Sequence, residues 1–463
     1  MVGATLSRWT MTYFAVALLS FAAAQSLMVA GYGFPNAPIN AAPTLIVVHI
    51  VAIGWLSLLV CGSLFQFVPV LIARPLYSNS LPLPTLGFLA AGLIGLLLGF
   101  LQFANGFAPN VSLLPLGATL LDIGFALVLW NLGRTLWAAR PLALPARFVT
   151  AGLFSLAAAA ALGIIFALVL GGATVEPHLA ALTAFGLPLH VIAGVAGWLT
   201  LTAMGVSYRL LAMFMLAPES EGTSTRVTLY LGVAALTVGI VGGVVAIASH
   251  ARLAAILGAT GVLGLGALTF YGRDVIQLYR LRKRRAIELN SRVSAMAVAN
   301  LGASAILAIV LIATGTLNLH IGALVFLAVF GWLSGLGLAQ LYKIVAFLTW
   351  LECYGPMLGK ILTPRVQDLV VERRAWKWFA LYFIAVWSGT AAMLAGQAAI
   401  FRGASAPMLV ATIGITAQLL RARRLADVSP VSRLPQGVHA PRLLVSYSPQ
   451  TERGECNDGI QKP

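Results

Sequence analysis

The sequence predicts an all-α, polytopic membrane protein with twelve transmembrane helices, and three observations lead to this fold class. Of the 463 residues, 60% are hydrophobic and only 9% are charged, whereas about a quarter of the residues of a soluble protein are charged. Apolar windows of roughly 20 residues, the length that crosses a bilayer, occur twelve times. A short phrase around Gly-Trp-Leu stands in three of these windows. The lipid bilayer is therefore the first predicted partner.

The predicted spans follow one another with short connections. They lie at about 11–32, 43–72, 84–104, 112–134, 148–171, 185–214, 227–249, 252–272, 294–314, 318–350, 376–398 and 404–421. The first window is interpreted as a retained span, because no small-residue cleavage site of a signal peptide follows it. The window 318–350 is too long for one crossing, so we expect its end to continue as an interfacial helix. Residues 1–423 are predicted to form one membrane domain, and the polar segment 424–463 to be a disordered cytoplasmic tail.

The positive charge of the chain indicates its orientation in the membrane. The net charge is +16, and the basic residues concentrate in alternate loops, whereas the other loops hold only Arg252 and Arg402. The positive-inside rule therefore predicts that both termini are cytoplasmic, in the inner membrane of a bacterium. The basic run 280–285 is interpreted as part of this orientation signal, and no nucleic-acid partner is predicted.

A repeated phrase divides the chain into three parts. The copies are Gly54-Trp55-Leu56-Ser57, Gly197-Trp198-Leu199-Thr200 and Gly331-Trp332-Leu333-Ser334. Each copy lies on the second of four successive spans, so the sequence predicts three four-helix pseudo-repeats at about 11–135, 148–272 and 294–421. Trp55 and Trp332 are candidate contacts of a flat cofactor, although buried tryptophans in membrane helices more often serve in packing.

Histidines precede the three copies and supply the candidate metal ligands. His49, His190 and His320 are predicted in the outer halves of spans 2, 6 and 10, and His250 lies at the outer end of span 7. Neutral imidazole is a common ligand of metals and of haem iron, and ionisable residues inside membranes usually face an interior site. A single histidine at such a depth could also cap a helix or contact lipid headgroups. Four at similar depth favour a shared metal site.

This arrangement resembles subunit I of the haem–copper oxidases over about residues 10–420. Val47-Val48-His49 looks like the second helix of that family, and Leu319-His320 looks like its tenth helix. The resemblance implies that His49 and His320 are the two axial ligands of a low-spin haem. It also implies that His190 and His250 correspond to copper ligands of helices six and seven.

The chain departs from the family at the oxygen-reducing centre. Asn318 stands where the resemblance requires the ligand of the high-spin haem, and Ser249 replaces one copper-binding histidine. Val191-Ile192-Ala193-Gly194 replaces the segment with the cross-linked tyrosine. A complete terminal oxidase is therefore not expected. The chain is more similar to the haem- and copper-containing membrane proteins that are linked to the nitric-oxide response of denitrifying bacteria.

The predicted function is that of a haem-binding, oxidase-like inner-membrane protein. It would transfer electrons or handle haem, copper or nitric oxide, and cytochrome c or a quinol is the candidate electron donor. Whether it is a divergent oxidoreductase stays open at this point. Two alternatives also stay open: a twelve-helix secondary transporter, and a non-catalytic assembly or partner protein with vestigial ligands.

Asp122 is a further candidate, because this acid lies near the middle of the fourth predicted span. A carboxylate at that depth must be partnered or protonated. It could belong to a proton relay, or it could bridge helices through a hydrogen bond to Asn131 or Gln102. The sequence does not decide between these two roles.

Overall fold

The computed structural model describes residues 7–105, 112–435 and 438–446 and confirms the predicted fold class. The described residues form helices and connections without a β-strand, and twelve helices are long and apolar enough to cross a membrane. Helices suit the interior of a bilayer because no water is available there, and each helix satisfies its backbone polar groups with its own hydrogen bonds. The prediction of an all-α polytopic membrane protein is therefore correct.

The spanning helices are numbered α1 to α12 in chain order. They are α1 (Thr10–Val29), α2 (Ala42–Ile72), α3 (Pro82–Ala104), α4 (Leu113–Trp137), α5 (Leu144–Leu170), α6 (Leu187–Met215), α7 (Thr223–Ala248), α8 (Leu253–Arg280), α9 (Leu289–Ala313), α10 (Leu317–Met357), α11 (Glu372–Leu394) and α12 (Ala398–Arg423). Shorter helices cover Pro177–Phe185, Val366–Leu369 and Pro430–Arg433. The helical segment α10 is longer than a bilayer requires, as the sequence predicted.

Local signals explain where several of these helices begin and end. Pro43 and Pro145 stand in the first turns of α2 and α5, where a missing backbone N–H is harmless. The helices α2 and α6 end at Ala73 and Leu216, which adopt left-handed backbone conformations with φ of 51° and 52°. Such a residue stops the helix and satisfies its last carbonyl groups.

The three Gly-Trp-Leu copies coincide with three π-helical segments. These segments are Ile50–Ser57 in α2, Ile192–Leu201 in α6 and Leu327–Ser334 in α10. A π-helical turn is wider than an α-helical turn and is rare, and it occurs often at functional sites. The repeat in the sequence is therefore matched by the same distortion in three helices.

The helices α2, α6 and α10 are the best-buried spans of the bundle. In their most apolar parts, 61%, 50% and 67% of the residues are buried, whereas the corresponding value for α8 is 6%. These three helices therefore form the centre, and the others surround them. The division of the chain into three equivalent four-helix units remains a prediction.

At each repeated glycine, the central helix packs closely on the helix that precedes it. A Cβ atom on Gly54 would lie 2.9 Å from Ser20 of α1, and one on Gly331 would lie 3.1 Å from Asn300 of α9. A Cβ atom on Gly197 would overlap the side chain of Ser155 of α5. Small residues allow membrane helices to approach in this way.

The loops that carry the basic runs lie at one end of the bundle, which we call the basic end. Part of the predicted disordered tail packs there. Leu425 and Val428 are buried, and the Ser446 backbone N–H donates to the Arg8 carbonyl at 3.0 Å. The expectation of disorder is thus corrected for residues 424–435 and 438–446, because apolar burial and hydrogen bonds hold them. Residues 447–463 lie outside the described part of the chain.

Candidate functional site

Two hydrogen bonds join the three copies of the repeat at the centre of the bundle. Trp55 Nε1 donates to Ser334 Oγ at 2.9 Å, and Trp198 Nε1 donates to Ser57 Oγ at 3.0 Å. Each bond runs from the tryptophan of one copy to the hydroxyl group of another copy. Trp332 Nε1 is buried and has no hydrogen-bond partner among the described residues. The repeat in the sequence could have predicted these two contacts between its copies.

Aromatic rings of the protein itself pack on Trp55 and Trp332. Trp55 stacks on Phe21 of α1, with ring centroids 4.5 Å apart, and Phe21 lies 5.8 Å from Phe330 of α10. Trp332 makes an edge-on contact with Tyr271 of α8 at 6.2 Å. Both tryptophans thus pack on aromatic side chains of neighbouring helices, and a cofactor contact of either one remains a prediction.

His49 lies immediately before the π-helical segment of α2. Its Nδ1 is 2.7 Å from the carbonyl oxygen of Leu45, and because a carbonyl only accepts, this ring nitrogen carries the proton. The lone pair of the neutral imidazole is then on Nε2, as in many metal-ligating histidines. The ring lies 5.1 Å from that of Phe100 in α3.

His190 lies at the corresponding end of α6, against α5. Its ring is 5.6 Å from the ring of Phe166, and its Cε1 is 3.3 Å from the position that a Cβ atom on Gly163 would take. The glycine thus leaves room for the imidazole. Nδ1 of His190 is buried and makes no hydrogen bond of ordinary geometry with the described residues, although the Ala159 backbone of α5 lies beside the imidazole.

His49 and His190 lie near the outer ends of two central helices, α2 and α6, whose π-helical segments contact each other. This pair was not the one that the sequence predicted, which was His49 with His320. Both side chains lie on central helices, at the end of the bundle opposite to the basic end.

His320 and His250 have different surroundings. The half-buried His320 stands in the first turn of α10, where its backbone N–H bonds to the Thr316 carbonyl at 3.2 Å. His250 follows the end of α7, is exposed and has a left-handed φ of 55°. Within the described residues, no group of three or more His, Cys, Asp and Glu side chains is arranged to hold a metal ion.

Aromatic side chains fill the contact between α2 and α10 at the level of the Gly-Trp-Leu repeat. Phe21, Trp55, Phe330 and Tyr382 pack on one another there, and the Tyr382 hydroxyl donates to the Phe330 carbonyl at 2.9 Å. His49 contacts Phe100 of α3. Axial ligation of a haem by His49 and His320 remains a prediction, because this aromatic packing lies more than one helical turn deeper than either histidine.

Asp122 is half-buried on α4 and is not engaged as predicted. Its carboxylate makes no hydrogen bond or ion pair with the described residues. Asn131 binds the backbone of Ser78 through both its amide atoms. Gln102 Oε1 accepts a hydrogen bond from the Leu113 N–H at 3.0 Å. Neither of the two predicted partners therefore bridges to this acid.

Buried acids at the basic end were not anticipated from the sequence. Asp274 of α8 is only 2% exposed and accepts hydrogen bonds from Tyr208 Oη at 2.9 Å and Thr225 Oγ1 at 3.0 Å. Glu288 forms an ion pair of 2.6 Å with Lys343. The sequence placed these residues in or near aqueous loops, because charge alone does not reveal which loop residues fold back onto the helices.

Comparison of the chain with protein-family models and with curated proteins finds no match.

Proposed function

We propose that this chain is an oxidase-like inner-membrane protein that binds a redox-active metal, copper or haem iron, through His49 and His190. The observation that carries the proposal is that α2 and α6, two central helices in contact, each hold a half-buried imidazole near the outer end. In this proposal the metal serves electron transfer or the handling of haem, copper or nitric oxide. The basic end faces the cytoplasm by the positive-inside rule, so the histidine pair lies in the outer half of the membrane.

The states of Nε2 of His49 and Nδ1 of His190 support a role of both histidines as metal ligands. The contact to Leu45 fixes the proton of His49 on Nδ1 and leaves Nε2 free to donate its lone pair. A buried polar atom without a hydrogen bond of ordinary geometry, such as Nδ1 of His190, costs free energy. A metal ion would accept one nitrogen lone pair from each of the two imidazoles, and imidazole suits copper and iron.

Oxygen reduction is not part of the proposal. Asn318 and Ser249 stand where the resemblance to the haem–copper oxidases requires histidines. A metal with two imidazole ligands suits one-electron chemistry or metal transfer better than the four-electron reduction of oxygen.

A secondary transporter is the second candidate, and Asp122 is the observation that favours it. An acid inside a membrane without a polar partner among the described residues is a candidate site for a proton or a cation. In its disfavour, the π-helical turns widen the spans without breaking them, whereas many carriers break their helices at the midplane to bind substrate. An assembly protein without a cofactor is the third candidate.

The test compares metal binding by histidine variants. The protein is expressed with copper and haem supplied, purified in detergent and examined by metal analysis and by its reduced-minus-oxidised absorption spectrum. We expect stoichiometric copper or a haem band that falls to background in His49→Ala and in His190→Ala. His178→Ala, which changes an exposed histidine, should retain the full signal, as should His320→Ala.

Two results would count against the proposal. A colourless, copper-free wild-type protein would remove the metal and leave the transporter or the assembly protein. A haem band that disappears in His49→Ala and His320→Ala but persists in His190→Ala would support the clamp between α2 and α10 that the sequence predicted.

A further inference from the structure

A cavity of about 480 Å³ opens at the basic end of the bundle. It lies between the first turn of α9, the inner part of α10 and the segment Val366–Leu369 with the start of α11. Its lining combines charged side chains with the apolar residues Ile287, Val366 and Val370. The cavity is remote from the histidine pair, and nothing argued below depends on the proposed metal site.

The first carboxylate of the cavity, that of Glu288, is fully engaged. Its Oε2 lies 2.6 Å from Lys343 Nζ, and its Oε1 accepts from Gln367 Nε2 at 2.6 Å. Arg284 makes an additional ion pair with Oε1. The Glu288 side chain is only 9% exposed, so these partners, and not water, neutralise it.

The second carboxylate, that of Glu372, is engaged as well. Its Oε1 accepts from the Leu289 backbone N–H at 2.9 Å, and its Oε2 accepts from Arg292 Nη2 at 3.2 Å. Three cationic side chains of the lining therefore face two acids, both of which are already bonded. The lining as a whole retains one positive charge, which favours an anionic ligand.

Two buried polar atoms of the lining have no hydrogen-bond partner among the described residues. Asn290 is 1% exposed and Tyr342 is 3% exposed, and both line the cavity. Asn290 Nδ2 and Tyr342 Oη make no hydrogen bond with any described residue. Buried donors are almost always satisfied in folded proteins, so two of them in one cavity indicate a ligand with several acceptor atoms.

We propose that this cavity binds a phosphate group, either that of an anionic phospholipid or that of a soluble phosphate compound. Asn290 and Tyr342 would donate to its oxygen atoms, and the excess positive charge of Arg284, Arg292 and Lys343 would balance its charge. Phosphate offers more acceptor oxygens than a carboxylate and is the usual ligand of clustered Arg and Lys side chains. The cavity sits at the end of the bundle that anionic headgroups would meet.

The test removes the two donors without changing the size of the side chains. Asn290→Leu and Tyr342→Phe are combined in one protein, and Tyr230→Phe on the exposed face of α7 is the matched control. Thermal unfolding is followed while the detergent-purified protein is titrated with inorganic phosphate, with phosphatidylglycerol or with phosphatidylcholine. Because the donors have no protein partner, the double variant should unfold without ligand at the wild-type temperature or above it.

We expect wild type and Tyr230→Phe to be stabilised by one anionic probe, with an apparent affinity about tenfold or more higher than that of the double variant. Stabilisation by phosphatidylglycerol alone identifies a lipid headgroup, and stabilisation by inorganic phosphate identifies a soluble ligand. Stabilisation by neither probe overturns the proposal, as does equal stabilisation of the double variant and wild type. An effect of phosphatidylcholine as large as that of phosphatidylglycerol also overturns it, because charge would then not matter.

Discussion

The indole N–H of Trp55 donates to the hydroxyl oxygen of Ser334 at 2.9 Å, across a sequence separation of 279 residues. This bond joins α2 to α10, and the equivalent bond from Trp198 to Ser57 joins α6 to α2. The Ser57 hydroxyl in turn donates to the Ala52 carbonyl, five residues earlier, at 2.8 Å. The hydroxyl groups of the repeat therefore tie the widened turns of the central helices to one another.

Replacing Trp55 by Phe should destabilise the bundle because Trp55→Phe keeps an aromatic ring on Phe21 but removes the donor to Ser334. We expect a loss of about 0.5–1.5 kcal/mol in the free energy of unfolding, measured by denaturant titration in detergent. Trp332→Phe is the control, since its Nε1 has no partner among the described residues. Both variants lose part of a buried ring, so Trp332→Phe should cost less than Trp55→Phe by about the value of the hydrogen bond. An equal cost for both variants would show that ring size and not the hydrogen bond matters.

A methyl group on Gly197 should force α5 and α6 apart. The new Cβ atom of Gly197→Ala would overlap the Ser155 side chain, and overpacking of this kind costs about 1–3 kcal/mol. Thermal unfolding in detergent measures the loss. Gly194→Ala is the control in the same π-helical segment, because a Cβ atom there meets open space.

Combining the two substitutions at this contact tests its cause. Gly197→Ala together with Ser155→Gly should recover most of the lost stability, since the small residue then stands on the other helix. If the double variant is no more stable than Gly197→Ala alone, the glycine serves the π-helical backbone and not the close approach of the two helices.

The sequence alone predicts the transmembrane spans, but it does not predict which neighbouring helix each histidine contacts. Long apolar windows and their flanking charges predict twelve helices, because hydrophobicity and length decide insertion into a bilayer. The direction of His49 depends on the turns that follow it. Each residue of a π-helical turn rotates less than one of an α-helical turn, and α2 accordingly presents Trp55 to α10 while His49 contacts α3.

The packed part of the tail shows a different limit of the sequence. Its polar composition predicts disorder, because few apolar residues are available to bury. The structure nevertheless holds it through particular pairs, such as Asp427 with Arg374 and Arg421. Composition is an average over the whole segment. Two or three residues that form ion pairs are enough to hold the segment against the basic ends of the helices.

Acid should weaken the attachment of the segment after α12. Arg421 donates to both carboxylate oxygens of Asp427, at 2.5 and 3.2 Å, and Arg374 donates to Oδ1 at 3.0 Å. These hydrogen bonds, those of Arg421 foremost, hold the pKa of Asp427 below its ordinary value. Because the folded pKa is the lower one, the stabilisation is complete above the unfolded pKa of about 3.9 and is lost as the pH falls through the folded pKa.

Hydrogen exchange of residues 424–435 as a function of pH measures this attachment. Protection in wild type should be constant at neutral pH and should fall below about pH 4. Asp427→Asn should show weaker protection already at neutral pH and a smaller further loss in acid. Identical pH profiles for the two proteins would show that another acid controls the attachment.

Loss of Arg423 should release the end of the described tail. Its side chain is 3% exposed, pairs with the equally buried Glu352 at 2.6 Å and donates to the carbonyls of Arg442 at 2.8 Å and Val445 at 3.3 Å. Arg423→Met leaves the Glu352 carboxylate buried without this cation, which costs about 3–5 kcal/mol. We expect rapid proteolysis within residues 438–446 and a lower unfolding temperature.

A second variant separates the charge of this ion pair from the tail contacts. Arg423→Met combined with Glu352→Leu removes both charges, so most of the loss in unfolding temperature should be recovered, because no uncompensated charge remains. The tail should stay sensitive to protease, since the hydrogen bonds from Arg423 to the carbonyls of Arg442 and Val445 are still lost. If the double variant regains protection of the tail as well, Glu352 and not Arg423 governs the docking, and the guanidinium contacts to the tail carbonyls contribute little.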